Sequence, residues 1–176
     1  MTTTMDPAGG SDQPAVLELH RADVGFSAAH FGVVDGRSER LHGHNYRVSL
    51  RAHGMVSADG TVVDFKTLKQ ALGAECALLD ERMLLPTLSE TVIVEANADE
   101  VQARHGNRRF SFPRGDVQLL PVTNTTCECL AAHLLKSVRA RLGPLPIRLE
   151  LTVEEAPGQG ATVAELPRSG SAIIDS

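Results

Sequence analysis

Residues 44–55 alternate, with Tyr46, Val48 and Leu50 on one parity and Arg47, Ser49 and Arg51 on the other. That period of two commits the segment to a strand with one buried face and one wet face. It also constrains what comes just before. His42 and His44 are two apart, so in a strand they leave the same face, roughly 6.6 Å apart along the chain. The small Gly43 between them lets other groups come close. His30 closes another extended run, Val24-Gly25-Phe26-Ser27-Ala28-Ala29. If the two runs pair, three imidazoles converge. Three His ligands with one open position describe a catalytic zinc site. A lone His is more often exposed or satisfied in a core, and a His-x-His pair alone is a weak signal. The third His, on a neighbouring strand, favours the Zn2+ reading.

The rest of the composition narrows the partners. A chain of 176 residues is one domain with a sizeable core. Its net charge of −5 disfavours a nucleic-acid partner. Aromatics at 3% and no Trp argue against stacking platforms for single strands. Cys127 and Cys129 are two apart in a predicted helix and point to different sides, so they do not bridge. A reduced, cytoplasmic setting fits three such cysteines. No apolar run reaches transmembrane length and no leader pattern is visible, so no membrane partner is expected.

In chain order, residues 1–14 read as a disordered tail of Thr, Gly, Asp and Pro. Residues 15–167 form the domain, and 168–176 a flexible tail. Strands are expected over 16–29 and 44–55, with a loop over 31–40 and a short extended piece at 61–63. Asp64 sits at an N-cap position before Phe65, Leu68, Leu72, Cys76 and Leu79, which predicts a helix over 65–78. Pro86 bars a helix in the Met83-Leu84-Leu85-Pro86 run. Residues 91–96 and 117–122 look like strands, with a hairpin between them over 101–112 turning at Gly106-Asn107. Residues 125–128, Thr-Thr-Cys-Glu, match a capping box, a Thr at the N-cap and an acid three residues on. The helix behind it runs to Leu142 and stops at Gly143-Pro144. Residues 147–154 alternate as a half-buried strand, and a turn at 157–160 leads to a last strand over 161–166. Antiparallel neighbours with helices on one face make an α+β fold.

Several of these stretches, taken together, resemble the 6-pyruvoyl-tetrahydropterin synthase and 6-carboxy-tetrahydropterin synthase family. They are Phe26-Ser27-Ala28-Ala29-His30, Leu41-His42-Gly43-His44-Asn45-Tyr46, Val63-Asp64-Phe65-x-x-Leu68-Lys69, Leu79-Asp80, Asn124-Thr125-Thr126-x-Glu128 and Val153-x-Glu155. The resemblance implies the tunnelling fold, a four-stranded antiparallel sheet with two helices, here with an inserted hairpin. It implies a homo-oligomer, a hexamer of two stacked trimers with sites at subunit interfaces. The implied substrate is 7,8-dihydroneopterin triphosphate or a close relative. His30, His42 and His44 match the zinc ligands, and Glu155 matches the acid that anchors the pterin ring. A guanidine-like edge with two coplanar N–H donors suits such a carboxylate. Thr126 falls where the family places a pterin-contacting Thr, although capping geometry alone also explains it.

Two departures bear on the mechanism. Ordinary members carry a Cys four residues before the first His of His-Gly-His, and here that residue is Ser38. Their Asp-His pair after the first helix is here Asp80-Glu81. A serine hydroxyl without an adjacent base is a poor proton acceptor near neutral pH. Glu39, next along, gives Glu-x-x-His-Gly-His. This resembles the subgroup in which a glutamate replaces the cysteine and the side chain is cleaved to 6-hydroxymethyl-7,8-dihydropterin for folate synthesis. The blander reading of Glu39 is a loop acid between Arg37 and Arg40, in weak surface pairs worth about 0–1 kcal/mol. Asp80 and Glu81 are a substitute acid/base pair or, equally, a solvated helix end. His105, Arg108, Arg109 and Arg114 are either a basic mouth for a triphosphate or exposed hairpin charges. Three functions stand side by side: the zinc-dependent side-chain lyase, a 6-pyruvoyl- or 6-carboxy-tetrahydropterin synthase with substituted acid/base residues, and a non-catalytic pterin- or metal-binding paralogue.

Overall fold

The computed structural model describes residues 13–166. The expected tails, 1–14 and 168–176, lie outside the described residues apart from Gln13 and Pro14. The strand elements before the first helix are β1 (Pro14–His30), β2 (Val33–Val34), β3 (Arg37–Ser38) and β4 (His42–Met55). Helix α1 (Phe65–Leu79) follows, then β5 (Arg82–Pro86), β6 (Ile93–Ala96), β7 (Glu100–His105), β8 (Arg108–Pro113) and β9 (Val117–Leu120). Helix α2 (Cys127–Leu142), β10 (Arg148–Ala156) and β11 (Gln159–Ala164) complete the chain. No helix among the described residues is long and apolar enough to cross a membrane.

The main sheet has the order β11-β10-β4-β1-β5-β9. Its four strands β11, β10, β4 and β1 are antiparallel, as the alternation in the sequence implies. Two further strands extend it: β5 runs parallel to β1, and β9 parallel to β5. The reason lies in residues 83–86, which are buried throughout. A strand covered on both faces shows a continuous apolar run rather than alternation, so periodicity alone does not distinguish it. The expected hairpin is also larger than its sequence signal. β6, β7 and β8 form a three-stranded antiparallel meander.

One face of the sheet is dry. Phe26 and Ala28 of β1, Tyr46, Val48, Leu50 and Ala52 of β4, and Leu149, Leu151 and Val153 of β10 are buried there. Leu68, Leu72, Cys76 and Leu79 of α1 and Leu130, Leu134, Leu135 and Val138 of α2 belong to the same core. Both helices are capped. The Asp64 side chain accepts from the Lys66 N–H at 2.9 Å. At α2 the N-cap is Thr126, whose hydroxyl accepts from the Cys129 N–H. That is one residue later than the Thr125-to-Glu128 spacing selects, and the shift leaves Thr125 free for another task. A second core cluster, Phe31, Met83, Leu85, Val92, Val101, Ala103 and Val117, joins the meander to the end of β1.

β1 is irregular midway: its register against β4 shifts between His20 and Gly25. After the shift Gly25 lies so close to β4 that a Cβ there would overlap the Tyr46 carbonyl oxygen. The register of every later residue of β1, His30 included, runs through this contact. Gly25→Ala should therefore lower stability by about 1–3 kcal/mol, read as a lower midpoint in urea unfolding. A neutral result would show that β1 can give way at this point.

Candidate metal centre and substrate site

The ladder between β1 and β4 builds the centre. His30 is the cross-strand partner of His42, and Ala28 the partner of His44. Residues 26, 28 and 30 share a face with 42, 44 and 46, so the three imidazoles leave the sheet together at its end. Ring centroids lie 4.6 Å apart for His30 and His42, 5.3 Å for His30 and His44, and 4.8 Å for His42 and His44. One ligand nitrogen from each comes within 4.8 Å of the others.

Each ring is oriented differently. His30 is 3% exposed. Its Nδ1–H donates to the Thr125 carbonyl at 2.9 Å, with the Thr125 hydroxyl 3.3 Å away. That hydroxyl donates to the Phe31 carbonyl. Fixing the proton on Nδ1 leaves the Nε2 lone pair available, the usual arrangement behind a metal-bound His. His42 does the same by a local route, Nδ1–H to the Arg40 carbonyl at 2.7 Å. His30 Nε2 and His44 Nε2 are both buried and have no hydrogen-bond partner. Buried polar atoms are seldom left unpaired, and two of them on converging imidazoles fit a cation. Burial holds the His30 ring below the ordinary imidazole range, and neighbouring His42 adds to this. It is therefore neutral, as a ligand must be, at physiological pH.

Glu155 stands beside this trio near the end of β10. Its carboxylate is 3.9 Å from His44 Nε2 and accepts from the Cys127 thiol at 3.5 Å. Burial and then Glu155 push the Cys127 thiol up to about 12, so it stays a donor. The Tyr46 phenol is buried without a hydrogen-bond partner, and its pKa is raised, chiefly by burial. Its ring lies 5.4 Å from that of His44. Thr126 is the N-cap next to Cys127, so its capping role is real whatever else it touches. Glu128 is exposed and held below the usual carboxylate range by a backbone N–H and the Thr126 hydroxyl.

Glu39 lies at the foot of a small hairpin, β2 and β3, that replaces the loop expected over 31–40. Asp35 and Gly36 take φ of 50° and 72°, the left-handed pair that a tight two-residue hairpin turn requires. The Glu39 N–H donates to the Gly32 carbonyl, and the Gly32 N–H donates back to Glu39 Oε2 at 3.0 Å. The side chain is thus folded toward the chain segment that follows His30. Its negative charge favours the protonated form of that ring against burial. Asn124 secures the other side of the hairpin, accepting from the Val33 N–H at 3.1 Å and donating to the Val33 carbonyl at 2.8 Å.

Asp80 and Glu81 have backbone tasks. Asp80 Oδ1 accepts from the Ser27 N–H at 2.7 Å, and the Glu81 N–H donates to the Ser27 carbonyl at 2.7 Å. Together they tie the end of α1 to β1, with Glu81 in a left-handed conformation. Ser27 alternates with Ala28 along β1, so it shows on the sheet face opposite the imidazoles. Glu81 lines an open cleft of about 510 Å3 with Ser27, His44, Asn45, Arg82 and Asp116. Of the basic residues in and after the meander, Arg108 turns inward onto Ser38 and Glu39, and Arg114 donates to the Val117 carbonyl. Thr125, Asn124, Cys127 and Arg108 are the supporting residues that periodicity did not reveal. Asn124 and Thr125 stood in a quoted motif, but only their partners show what they do.

A profile of the family described as 6-pyruvoyl tetrahydropterin synthase matches residues 20–165. A protein of Methanocaldococcus jannaschii, provisionally named 6-carboxy-5,6,7,8-tetrahydropterin synthase, is 33% identical over 153 residues, covering 83% of this chain and 94% of its own length. The crystal structure of 6-pyruvoyl tetrahydropterin synthase from Plasmodium vivax is 33% identical and superposes with a TM-score of 0.84, covering 88% of this chain and 99% of that one. Two variants of the P. vivax protein are 32% identical at a TM-score of 0.83 with the same coverage. In them a glutamate is replaced by alanine or by cysteine, and both are described as catalytic-residue mutants. The fold is the α+β tunnelling fold, and the chain belongs to the 6-pyruvoyl tetrahydropterin synthase family of tetrahydropterin synthase enzymes.

Proposed function

We propose that this chain is a zinc-dependent lyase that takes 7,8-dihydroneopterin triphosphate and cleaves its side chain to 6-hydroxymethyl-7,8-dihydropterin. The observation that carries the reading is the folding of Glu39 back beside the chain that follows His30. Ser38 occupies the place of the usual cysteine, and its hydroxyl accepts a hydrogen bond from Arg108. Glu39 is then the acid/base group that the hairpin presents. The P. vivax relative, whose replaced glutamate is described as catalytic, supports assigning that work to a glutamate here.

The chain's own residues suit the reaction. His30, His42 and His44 would hold Zn2+, although three imidazoles suit several divalent ions. When bound, the cation supplies Lewis-acid polarisation of the side-chain hydroxyls. Glu155 takes the coplanar N–H donors of the pterin ring as a bidentate acceptor. Thr126, the residue before the Cys127 that bonds Glu155, would add a further polar contact. Glu39 removes the proton from the hydroxyl two carbons from the ring. The carbon-carbon bond beside that hydroxyl then breaks, and its electron pair passes into the conjugated imine of the dihydropterin. The outer carbons leave as an aldehyde bearing the triphosphate. The proton on Glu39 returns to the carbon left on the ring, giving the hydroxymethyl group. Assembly into a hexamer of two trimers would bring a neighbour's residues to the site, and Asp80 and Glu81 are the acid/base residues that a second reading would use. The second reading, a 6-pyruvoyl or 6-carboxy product, is favoured by the names of the relatives.

Incubation with 7,8-dihydroneopterin triphosphate and mass analysis of the pterin product decides between them. Hydroxymethyl-dihydropterin is expected, and a pyruvoyl or carboxy product would overturn the assignment. Glu39→Gln should cut turnover by about 10²–10⁴-fold while zinc content stays at the wild-type level. His42→Ala or His44→Ala should lose both turnover and metal, as read by elemental analysis of the purified chain. Glu155→Gln should act differently, raising KM by about 10–100-fold with the metal retained. If it leaves KM unchanged, Glu155 does not anchor the ring.

A further inference from the structure

Arg108 reaches across from the meander to the hairpin that carries Glu39. One of its guanidinium nitrogens donates to the Ser38 hydroxyl at 2.7 Å, to the Ser38 carbonyl at 3.4 Å, and to the Glu39 carbonyl. The planar group lies over the Phe110 ring, 4.9 Å from its centroid, and 6.0 Å from that of Phe31. Phe31 and Phe110 themselves stack at 5.0 Å. Phe31, 1% exposed, directly follows His30.

The hairpin needs this help. β2 and β3 have two residues each, and an isolated two-stranded ribbon is marginal at best in water. Asn124 secures its first strand. Arg108 is the side chain that holds the carbonyls of its second strand, from 70 residues away in sequence. A guanidinium seated on an aromatic ring presents its donors in a fixed plane, which a lysine cannot imitate. The aromatic pair also links that plane to the residue next to the first metal ligand.

We infer that Arg108 is a positioning residue: it fixes the Ser38–Glu39 backbone so that the Glu39 carboxylate is held at the metal centre, and the meander over residues 93–113 serves as the brace that carries it. The inference rests on the proposed role of Glu39. It gives the segment a function distinct from capturing the triphosphate.

Four variants test this: Arg108→Ala, Arg108→Lys, Glu39→Gln and the Arg108→Ala/Glu39→Gln double variant. They are assayed with zinc-loaded full chain and 7,8-dihydroneopterin triphosphate. A small misplacement of a reacting group can cost about 10²-fold in rate. Arg108→Ala should therefore lower kcat by about that factor, with KM and zinc content close to wild type, and Arg108→Lys should recover only part of the loss. In the Glu39→Gln background the Arg108→Ala loss should vanish, because a residue acting through another is not additive with it. Additive losses, or a rise in KM with kcat preserved, would overturn the inference and make Arg108 a substrate contact. Ser38→Ala, which removes one acceptor and disturbs little else, guards against a failure of Arg108→Ala to fold and should lower kcat in the same sense. Amide exchange gives a readout independent of the reaction. Arg108→Ala should speed exchange at Gly32 and Glu39 while β4 stays protected. If the wild-type chain leaves the substrate unchanged, the proposed reaction fails, and the brace then stands or falls on whether those two amides exchange faster.

Discussion

The register between β1 and β4 is the constraint on which the site depends. His30 faces His42 and His44 only because the two strands pair antiparallel with those residues opposite or diagonal to one another. A slip of one residue would turn every side chain on one strand to the other sheet face. It would carry His30 away from its partners and expose Phe26 and Ala28 together. The same ladder thus fixes both the dry core and the imidazole trio. The apolar alternation of β4, with Val48, Leu50 and Ala52 at most 2% exposed, enforces a register that the imidazoles alone could not.

Around that ladder the supporting hydrogen bonds come from far along the chain. The residues just before α2 supply both the Thr125 carbonyl for His30 and the Asn124 amide for the hairpin. Capping α2 with Thr126 rather than Thr125 makes this possible. If Thr125 were the N-cap, the helix would start one residue earlier, and the turn that aims its carbonyl at His30 and its hydroxyl at the Phe31 carbonyl would change. The helix start and the centre are therefore one unit of structure, and Cys127, the first residue of α2, reaches Glu155.

Much of this could be read directly from the residues. The period of two in β4 and β10 and the helical spacing of α1 and α2 gave the antiparallel core, and the His-Gly-His spacing gave the face on which two rings lie. The parallel strands β5 and β9 were harder, because a buried run such as Met83-Leu84-Leu85 carries no alternation. The β2–β3 hairpin was hidden for a different reason. Its Asp35-Gly36 turn was visible, but its strands are too short to show a period. Arg108 is invisible as a partner of Ser38 because nothing local in the sequence marks a contact between two strand ends 70 residues apart. Asp80 shows the converse: a motif position marks the residue, but its bond to the Ser27 N–H is seen only once α1 is packed on β1.

The departures from the usual residue pattern become physically coherent when the hairpin is considered as a whole. A cysteine acts through its thiolate, and its reactivity is set largely by nearby charge. A carboxylate is ionised at neutral pH without assistance, so what it requires is placement rather than activation. On the proposed reading, a chain that uses Glu39 instead of a cysteine has less need of an activating His near the site, and Glu81 at that position is no obstacle. It has more need of a rigid hairpin. The bonds from Asn124 to one strand and from Arg108 to the other meet that need, and the second core cluster that seats the meander ties this rigidity to the same Phe31 that follows His30.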